Sequence, residues 1–143
     1  MFLSVENIKT LKSNKYISEE DFKEDFKITP QKGDIFMTRI GDIGTSNIVL
    51  DNMPKAYYVS LALLKPKNIN SFFLNESLSS FNVKKELWKR TLHIAFPKKI
   101  NKIEIEKVYL QYPNVDEQIK IGNLLHLVNK NIVLYQRKPF LGF

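Results

Sequence analysis

The segment YPNVDEQIKIGNLLHLVNKNIVLYQRK, residues 112–138, decides the organisation of this chain because it predicts one long amphipathic helix. Its apolar side chains recur at alternating spacings of four and three residues, at Ile121, Leu125, Val128, Ile132 and Tyr135. This spacing is typical of a coiled-coil seam rather than of the wider stripe with which a helix packs on a globular core. Isolated helices of this length are marginal in water, so we expect this helix to need a partner.

The start of the helix carries clear signals. Pro113 precedes it, and Asn114 is a candidate N-cap with Glu117 three residues later. Pro139 is expected to end it, because proline cannot continue the helical hydrogen bonding. We therefore divide the chain into a globular domain at 1–112, a coiled-coil spacer or dimerisation helix at 113–138 and a tail at 139–143.

Composition excludes several classes of protein. A hydrophobic content of 43% in 143 residues indicates one folded domain rather than a disordered chain. The absence of cysteine excludes disulfides and zinc–thiolate sites, and two distant histidines suggest no metal cluster, so we predict no metal and no cofactor. The chain lacks signal-peptide features and any apolar run near the ~20 residues that span a membrane, so we expect a soluble cytoplasmic protein without a membrane partner.

The positive charge is unevenly distributed. The net charge is +7, but residues 1–29 hold five lysines against six acidic residues. Residues 77–107 hold eight lysines and arginines against three glutamates, next to several aromatic residues. A basic segment with aromatics is typical of nucleic-acid binding, and the alternative is a solvated, lysine-rich surface.

Short helices and strands are predicted before the long helix, without a βαβ rhythm. This order indicates an α+β fold with a mixed, mostly antiparallel, twisted sheet. We predict strands at 35–40, 46–50, 56–64, 92–96 and 108–110 and helices at 18–26 and 70–81, with a basic loop or short helix at 83–90. His93 is read as a strand residue and His126 as a surface residue of the long helix.

A series of short motifs follows the same order as in a known family. They are ISEEDF (17–22), KGDI (32–35), RIGDIG (39–44), FL (73–74), KIN (99–101), YP (112–113), DEQIKI (116–121) and YQRK (135–138). Together they resemble the DNA specificity subunit of type I restriction-modification systems over about residues 16–138. The GDI…GxIG segment and the PxxxEQxxI start of the long helix carry most of this resemblance.

The resemblance implies a function. A complete subunit of that family has two target recognition domains, each reading half of a split DNA sequence, and two antiparallel helices that act as a ruler and dock methyltransferase subunits. This chain resembles one such domain plus one helix, with the opening strands shortened before Met1 and the helix ending early. It is then expected to be a non-catalytic half-subunit that binds double-stranded DNA and pairs with itself through the helix. It is also expected to direct the methyltransferase subunit and, indirectly, the restriction subunit.

Nine residues are candidate DNA contacts. Arg39 lies beside a glycine turn, which lets backbone approach a ligand, and arginine suits guanine or phosphate. A second group of cations flanks Trp88. The alternatives are a structural hairpin, a solvated loop with Trp88 in the core, and strand aromatics that pack on a neighbour. The candidates are Arg39, Ser46, Asn47, Lys55, Tyr57, Lys84, Lys85, Lys89 and Arg90.

Other functions remain as alternatives. A nuclease would need clustered carboxylates, whereas the two Asp-x-Lys segments at 21–23 and 25–27 lie in an acidic predicted helix and are read as surface charge. No Asn-Pro-Pro-Tyr/Phe motif of an adenine methyltransferase is present. The remaining alternative is a non-catalytic oligomerisation module, or a remnant of a disrupted specificity subunit, that does not bind DNA.

Overall fold

The computed structural model describes residues 1–137, and it confirms the α+β class. An antiparallel three-stranded sheet, a separate parallel pair of short strands and several short helices precede a long helix. The strands are β1 (Phe2–Leu3), β2 (Ile35–Ile40), β3 (Asp42–Ile48), β4 (Ala56–Tyr57) and β5 (Leu61–Leu64). The helices are α1 (Glu19–Asp25), α2 (Ser71–Ser77), α3 (Phe81–Arg90), α4 (Lys102–Glu106) and α5 (Val115–Arg137), with a 3₁₀ turn at Val5–Asn7.

Strand β2 is the centre of the domain and lies where the sequence predicts it. It pairs antiparallel with β3 on one side and with β5 on the other, while β1 and β4 form a separate parallel pair. Both faces of β2 are buried, which explains its nearly continuous apolar sequence. Ile35 and Met37 face α2 and α3, and Phe36 faces the N-terminal segment. The rest of the two core clusters is Ile48, Leu78, Val83, Leu87 and Ile100 on the first side and Leu3, Ile8, Leu11, Val49 and Leu61 on the second.

Helix α1 confirms its predicted cap. Ser18 is the N-cap, and its hydroxyl accepts a hydrogen bond from the Asp21 N–H at 3.0 Å. Phe22 and Phe26 stack with ring centroids 5.6 Å apart, and Phe26 also contacts the Tyr57 ring at 5.4 Å. These aromatic contacts join the helix to the domain.

The single long strand predicted at 56–64 is wrong. A turn separates β4 from β5, closed by a hydrogen bond from the Leu61 N–H to the Tyr58 carbonyl at 3.0 Å. Arg39 holds this turn, because its backbone N–H donates to the Ser60 carbonyl and its guanidinium to the Val59 carbonyl. The apolar alternation is continuous through the turn, so sequence alone did not reveal it.

The predictions for 70–90 are also corrected. The helix predicted at 70–81 ends at α2, and Ser80 then caps α3, its hydroxyl accepting from the Val83 N–H at 3.4 Å. The segment read as a basic loop or short helix is therefore a ten-residue helix. Phe81, the last residue of the helix predicted at 70–81, instead begins α3 and is 78% exposed.

Two predicted short strands do not form among the described residues. Segment 92–96 has only one bridge, between Leu92 and Lys99, and lies in a loop. His93 is consequently an exposed loop residue rather than a strand residue. Segment 108–110 is irregular, although Val108 and Leu110 pack against the core.

Helix α5 begins as predicted but has a partner within its own chain. The Asn114 side chain accepts from the Glu117 N–H at 3.0 Å, confirming the cap. The helix then packs on α2 through Gln118, which is 1% exposed, and through Gly122. The predicted end at residue 138, Pro139 and the tail at 139–143 lie outside the described residues.

The contact between α5 and α2 is made by polar and small residues. Gln118 accepts a hydrogen bond from the Asn70 N–H at 2.8 Å and donates one to the Pro113 carbonyl at 2.8 Å. Asn70 is itself the N-cap of α2, so Gln118 joins the starts of the two helices. The His126 ring contacts the Phe72 ring, with centroids 4.5 Å apart and planes tilted by 51°, so His126 is a half-buried part of the contact with α2 rather than a surface residue.

Candidate nucleic-acid interface and partner helix

Helix α3 exposes its basic face because its apolar face is anchored. Val83 and Leu87, four residues apart, are both 2% exposed against the core. Lys85, Trp88 and Lys89 therefore lie on the outer side of the helix. Trp88 is 59% exposed, so the alternative that placed it in the core is wrong.

Some cations of this region are neutralised by neighbouring glutamates. Arg90 Nη1 lies 3.1 Å from a Glu104 carboxylate oxygen and joins α3 to α4, while Lys89 Nζ is only loosely paired with Glu86 at 3.7 Å. Hydrogen bonds from Lys107 and then Arg90 lower the pKa of Glu104. Within residues 1–137, three exposed lysines of the segment form no ion pair: Lys85, Lys99 and Lys102.

Strand β3 begins at Asp42 rather than at the predicted residue 46, so Gly44 lies within the strand, where it accommodates α3 rather than a ligand. Gly44 has a φ of +87°, and a Cβ there would lie 2.9 Å from Leu87 Cδ1. The Lys84 ammonium donates a 2.6 Å hydrogen bond to the Gly44 carbonyl. Lys84 is thus committed to positioning α3 on the sheet.

A loop formed by Leu92–Lys99, here the 92–99 loop, projects beside α3. Its base is closed by a hydrogen bond from the Leu92 N–H to the Lys99 carbonyl at 2.7 Å. Ile94 and Phe96 are both fully exposed. Sequence reasoning missed them because the apolar alternation of HIAF was read as a strand.

The 92–99 loop and α3 meet through an aromatic and cationic cluster. The rings of Trp88 and His93 lie 4.1 Å apart, and the His93 Nε2 is 2.8 Å from the Trp88 carbonyl oxygen. The Lys98 ammonium lies 5.3 Å from the centre of the Trp88 ring, within range of a cation–π interaction. We call α3 and this loop together the α3–loop surface.

Three of the predicted DNA contacts are engaged within the domain. The Arg39 Nε donates to the Ile100 carbonyl at 3.1 Å, in addition to its contact with Val59. Ser46 donates to the Asn75 side chain at 2.9 Å. Asn47 donates to the carbonyls of residues 8 and 9, each at 3.0 Å. Each of these side chains joins two segments of the fold.

Lys55 and Tyr57 are turned into the protein. The Lys55 side chain is 3% exposed, with its ammonium against the Asp51 carboxylate and the Met53 carbonyl. Hydrogen bonds that the Lys55 ammonium and the Met53 N–H donate to the Asp51 carboxylate lower the pKa of Asp51. Burial, and secondarily the charge of Asp34, raises the pKa of Tyr57. The ammonium of Lys55 is therefore paired inside the protein rather than presented at its surface.

The residues of the seam predicted on α5 are all at least 40% exposed. They are exposed as follows: Ile121 40%, Leu125 40%, Val128 43%, Ile132 48% and Tyr135 74%. Leu124, Leu127 and Leu134 are exposed as well, so the apolar surface of the helix is wider than the seam alone. Such a continuous apolar face is typical of a surface that binds another protein.

The described residues lack two kinds of feature. Residues 1–137 contain no group of three or more histidine and acidic side chains placed to hold a metal ion. In the same residues, no helix combines the length and apolar character needed to cross a membrane.

The fold is similar to that of a chain in a solved structure described as the structural basis of complex assembly and conformational transition of the type I R-M (restriction-modification) system. The TM-score is 0.59 at 19% sequence identity, which shows a shared fold. The similarity covers 78% of this chain and 26% of that chain, so this chain spans about a quarter of its neighbour's length. No protein-family model and no curated protein matches the sequence.

Proposed function

We propose that this chain is a DNA-reading half-subunit of a type I restriction-modification system. Its fold is similar to a chain of such a system, and its motifs follow the order of the specificity subunit. The observation that carries DNA binding is the α3–loop surface, where Lys85 and Lys99 form no ion pair within residues 1–137 and flank an exposed Trp88.

In this proposal, affinity and sequence recognition come from different groups. Exposed lysines of the α3–loop surface contact phosphates and release counterions, which makes affinity depend on salt. Side chains on the projecting loop reach base edges, since phosphate contacts alone carry no sequence information. Methylation and cleavage are carried out by the methyltransferase and restriction subunits, and this chain supplies no catalytic group.

Helix α5 supplies the second half of the proposed function. Its first turns are held on α2, which fixes its direction relative to the DNA-reading domain. Its exposed seam then pairs with the seam of a second copy, in the antiparallel manner of a ruler between two DNA-reading domains. A dimer of this kind reads two half-sites at a fixed separation.

The DNA-binding part is tested by titrating a fluorescein-labelled duplex at several salt concentrations. We expect affinity to fall steeply between about 50 and 200 mM salt. Replacing Lys85 and Lys89 together by alanine should weaken binding to every sequence and reduce the magnitude of the salt slope by about 2. A matched control replaces Lys12 and Lys32, two exposed lysines outside this surface.

Equal effects of the two double substitutions would contradict the assignment of the α3–loop surface. A complete lack of binding at low salt would contradict DNA binding altogether. In that case the second candidate function, an oligomerisation module without DNA affinity, is favoured by the exposed apolar face of α5. The two functions are separated by measuring mass in solution beside the DNA titration.

A further inference from the structure

The 92–99 loop holds two large apolar side chains entirely in solvent. Ile94 and Phe96 alternate with smaller residues at its far end, and nothing in the described chain covers them. Exposing apolar side chains to water costs free energy. Exposed apolar side chains that add nothing to the core are therefore typical of a binding surface.

The base of this loop is firmly attached to the sheet. The Gly41 N–H donates to the Lys98 carbonyl at 2.8 Å, and the Ile100 N–H donates to the Arg39 carbonyl at 3.0 Å. Ile100 is completely buried directly after the loop. The loop that carries Ile94 and Phe96 is therefore held in place before it binds, which lowers the conformational-entropy cost of binding.

The segments that carry and flank the two apolar side chains are cationic. Lys98 and Lys99 follow Phe96 in the loop, and Lys89 lies on α3 one residue after Trp88. An apolar tip inside a cationic rim is complementary to duplex DNA, whose phosphates enclose an apolar base stack. Proteins that kink DNA use phenylalanine, isoleucine and proline in this way, as wedges between base steps.

We propose that Ile94 and Phe96 form a wedge that enters a base step of duplex DNA, while Lys89, Lys98 and Lys99 contact the flanking phosphates. This inference rests on the proposed DNA-binding function and adds that binding deforms the duplex. The wedge unstacks one base step. Recognition then depends on how easily a sequence unstacks, as well as on its base edges.

The test compares two short fluorescein-labelled duplexes, one fully paired and one with a single T·T mismatch beside a 2-aminopurine. A mismatch removes part of the cost of unstacking, so the wild-type chain should bind the mismatched duplex about tenfold more tightly. The 2-aminopurine fluorescence should increase on binding. The variant with Ile94→Ala and Phe96→Ala should lose both effects but keep the salt slope.

A matched control replaces Tyr16 and Met53 by alanine, since these side chains are 70% and 59% exposed and lie outside the α3–loop surface. It should behave as the wild type. Equal wild-type affinity for both duplexes, with no change in 2-aminopurine fluorescence, would overturn the wedge and leave DNA binding intact. No binding to either duplex at low salt would overturn both proposals.

The same variants separate DNA from a lipid surface. Phosphatidylserine-containing vesicles are the probe, because an apolar tip with a cationic rim also suits an anionic membrane. We expect no sedimentation of the chain with these vesicles. Vesicle binding that is lost in the Ile94→Ala/Phe96→Ala variant, without a preference for the mismatched duplex, would replace the DNA wedge by a membrane contact.

Discussion

The two faces of α5 differ in how they meet the rest of the molecule. The face toward α2 is polar or small, with Gln118 and Gly122 at its centre, and it is the buried one. The seam face, with Leu125 and Ile132, is apolar and exposed. The comparison teaches that apolar periodicity identified the exposed side of the helix, whereas the contact with α2 depends on close approach and hydrogen bonding.

The largest effect on stability is expected from crowding the face of α5 that packs on α2. A Cβ on Gly122 would lie 2.6 Å from the Phe73 backbone nitrogen and 2.8 Å from Asn70 Oδ1. Because a helix backbone cannot easily yield, Gly122→Val should lower the free energy of unfolding by about 2–3 kcal/mol. Urea unfolding followed by circular dichroism measures this change.

The control for this substitution is Asn123→Val, at an exposed position one residue further along α5. It places the same β-branched side chain in the helix without crowding α2, and it changes helix propensity little because valine and asparagine rank alike. Equal destabilisation by the two variants would show that α5 does not depend on close contact with α2, and the distinction between the two faces would fail.

A smaller effect on stability is expected from removing the hydrogen bonds that Gln118 makes on the face of α5 that packs on α2. Gln118→Leu keeps the size of the side chain but leaves the Asn70 N–H and the Pro113 carbonyl without their partner. Unpaired buried groups are costly, so the free energy of unfolding should fall by about 1–2 kcal/mol. Amide hydrogen exchange at Asn70 should become faster in this variant, and unchanged exchange would contradict the role given to Gln118.

The smallest effect on stability is expected on the seam face, together with the largest effect on association. Leu125→Asp with Ile132→Asp should change the free energy of unfolding of the monomer by about 0.5 kcal/mol or less at each position, because both positions are exposed. The mass in solution, measured by light scattering, should fall from dimer to monomer. A monomeric wild type with the same mass as the variant would exclude pairing through the seam.

Local signals predicted several elements correctly. Strand β2 lies at its predicted residues, Ser18 caps α1, and Asn114 caps α5. Each depends on residues within one turn or one strand. The predictions that were wrong concern features set by segments distant in sequence. Arg39 holds the turn after β4, and Phe96 is exposed because no described segment packs on it.

The candidate site shows the same division. Charge and aromatic content identified the basic segment around Trp88, and the structure places Lys85 and Lys89 on the surface. Lys55, equally basic in sequence, is buried against Asp51. Side-chain type alone cannot separate an exposed lysine from a buried, paired one.

The sequence by itself determined the α+β class, the central strand and a long capped helix with an apolar seam, because local hydrogen bonding and side-chain periodicity specify them. Only the tertiary structure decided that α5 rests on α2 through Gln118 and Gly122, and that Ile94 and Phe96 project from the domain. The physical reason is that burial depends on which segments lie opposite each other. A glycine or glutamine carries no apolar signal, yet each provides the close contact that two packed helices require.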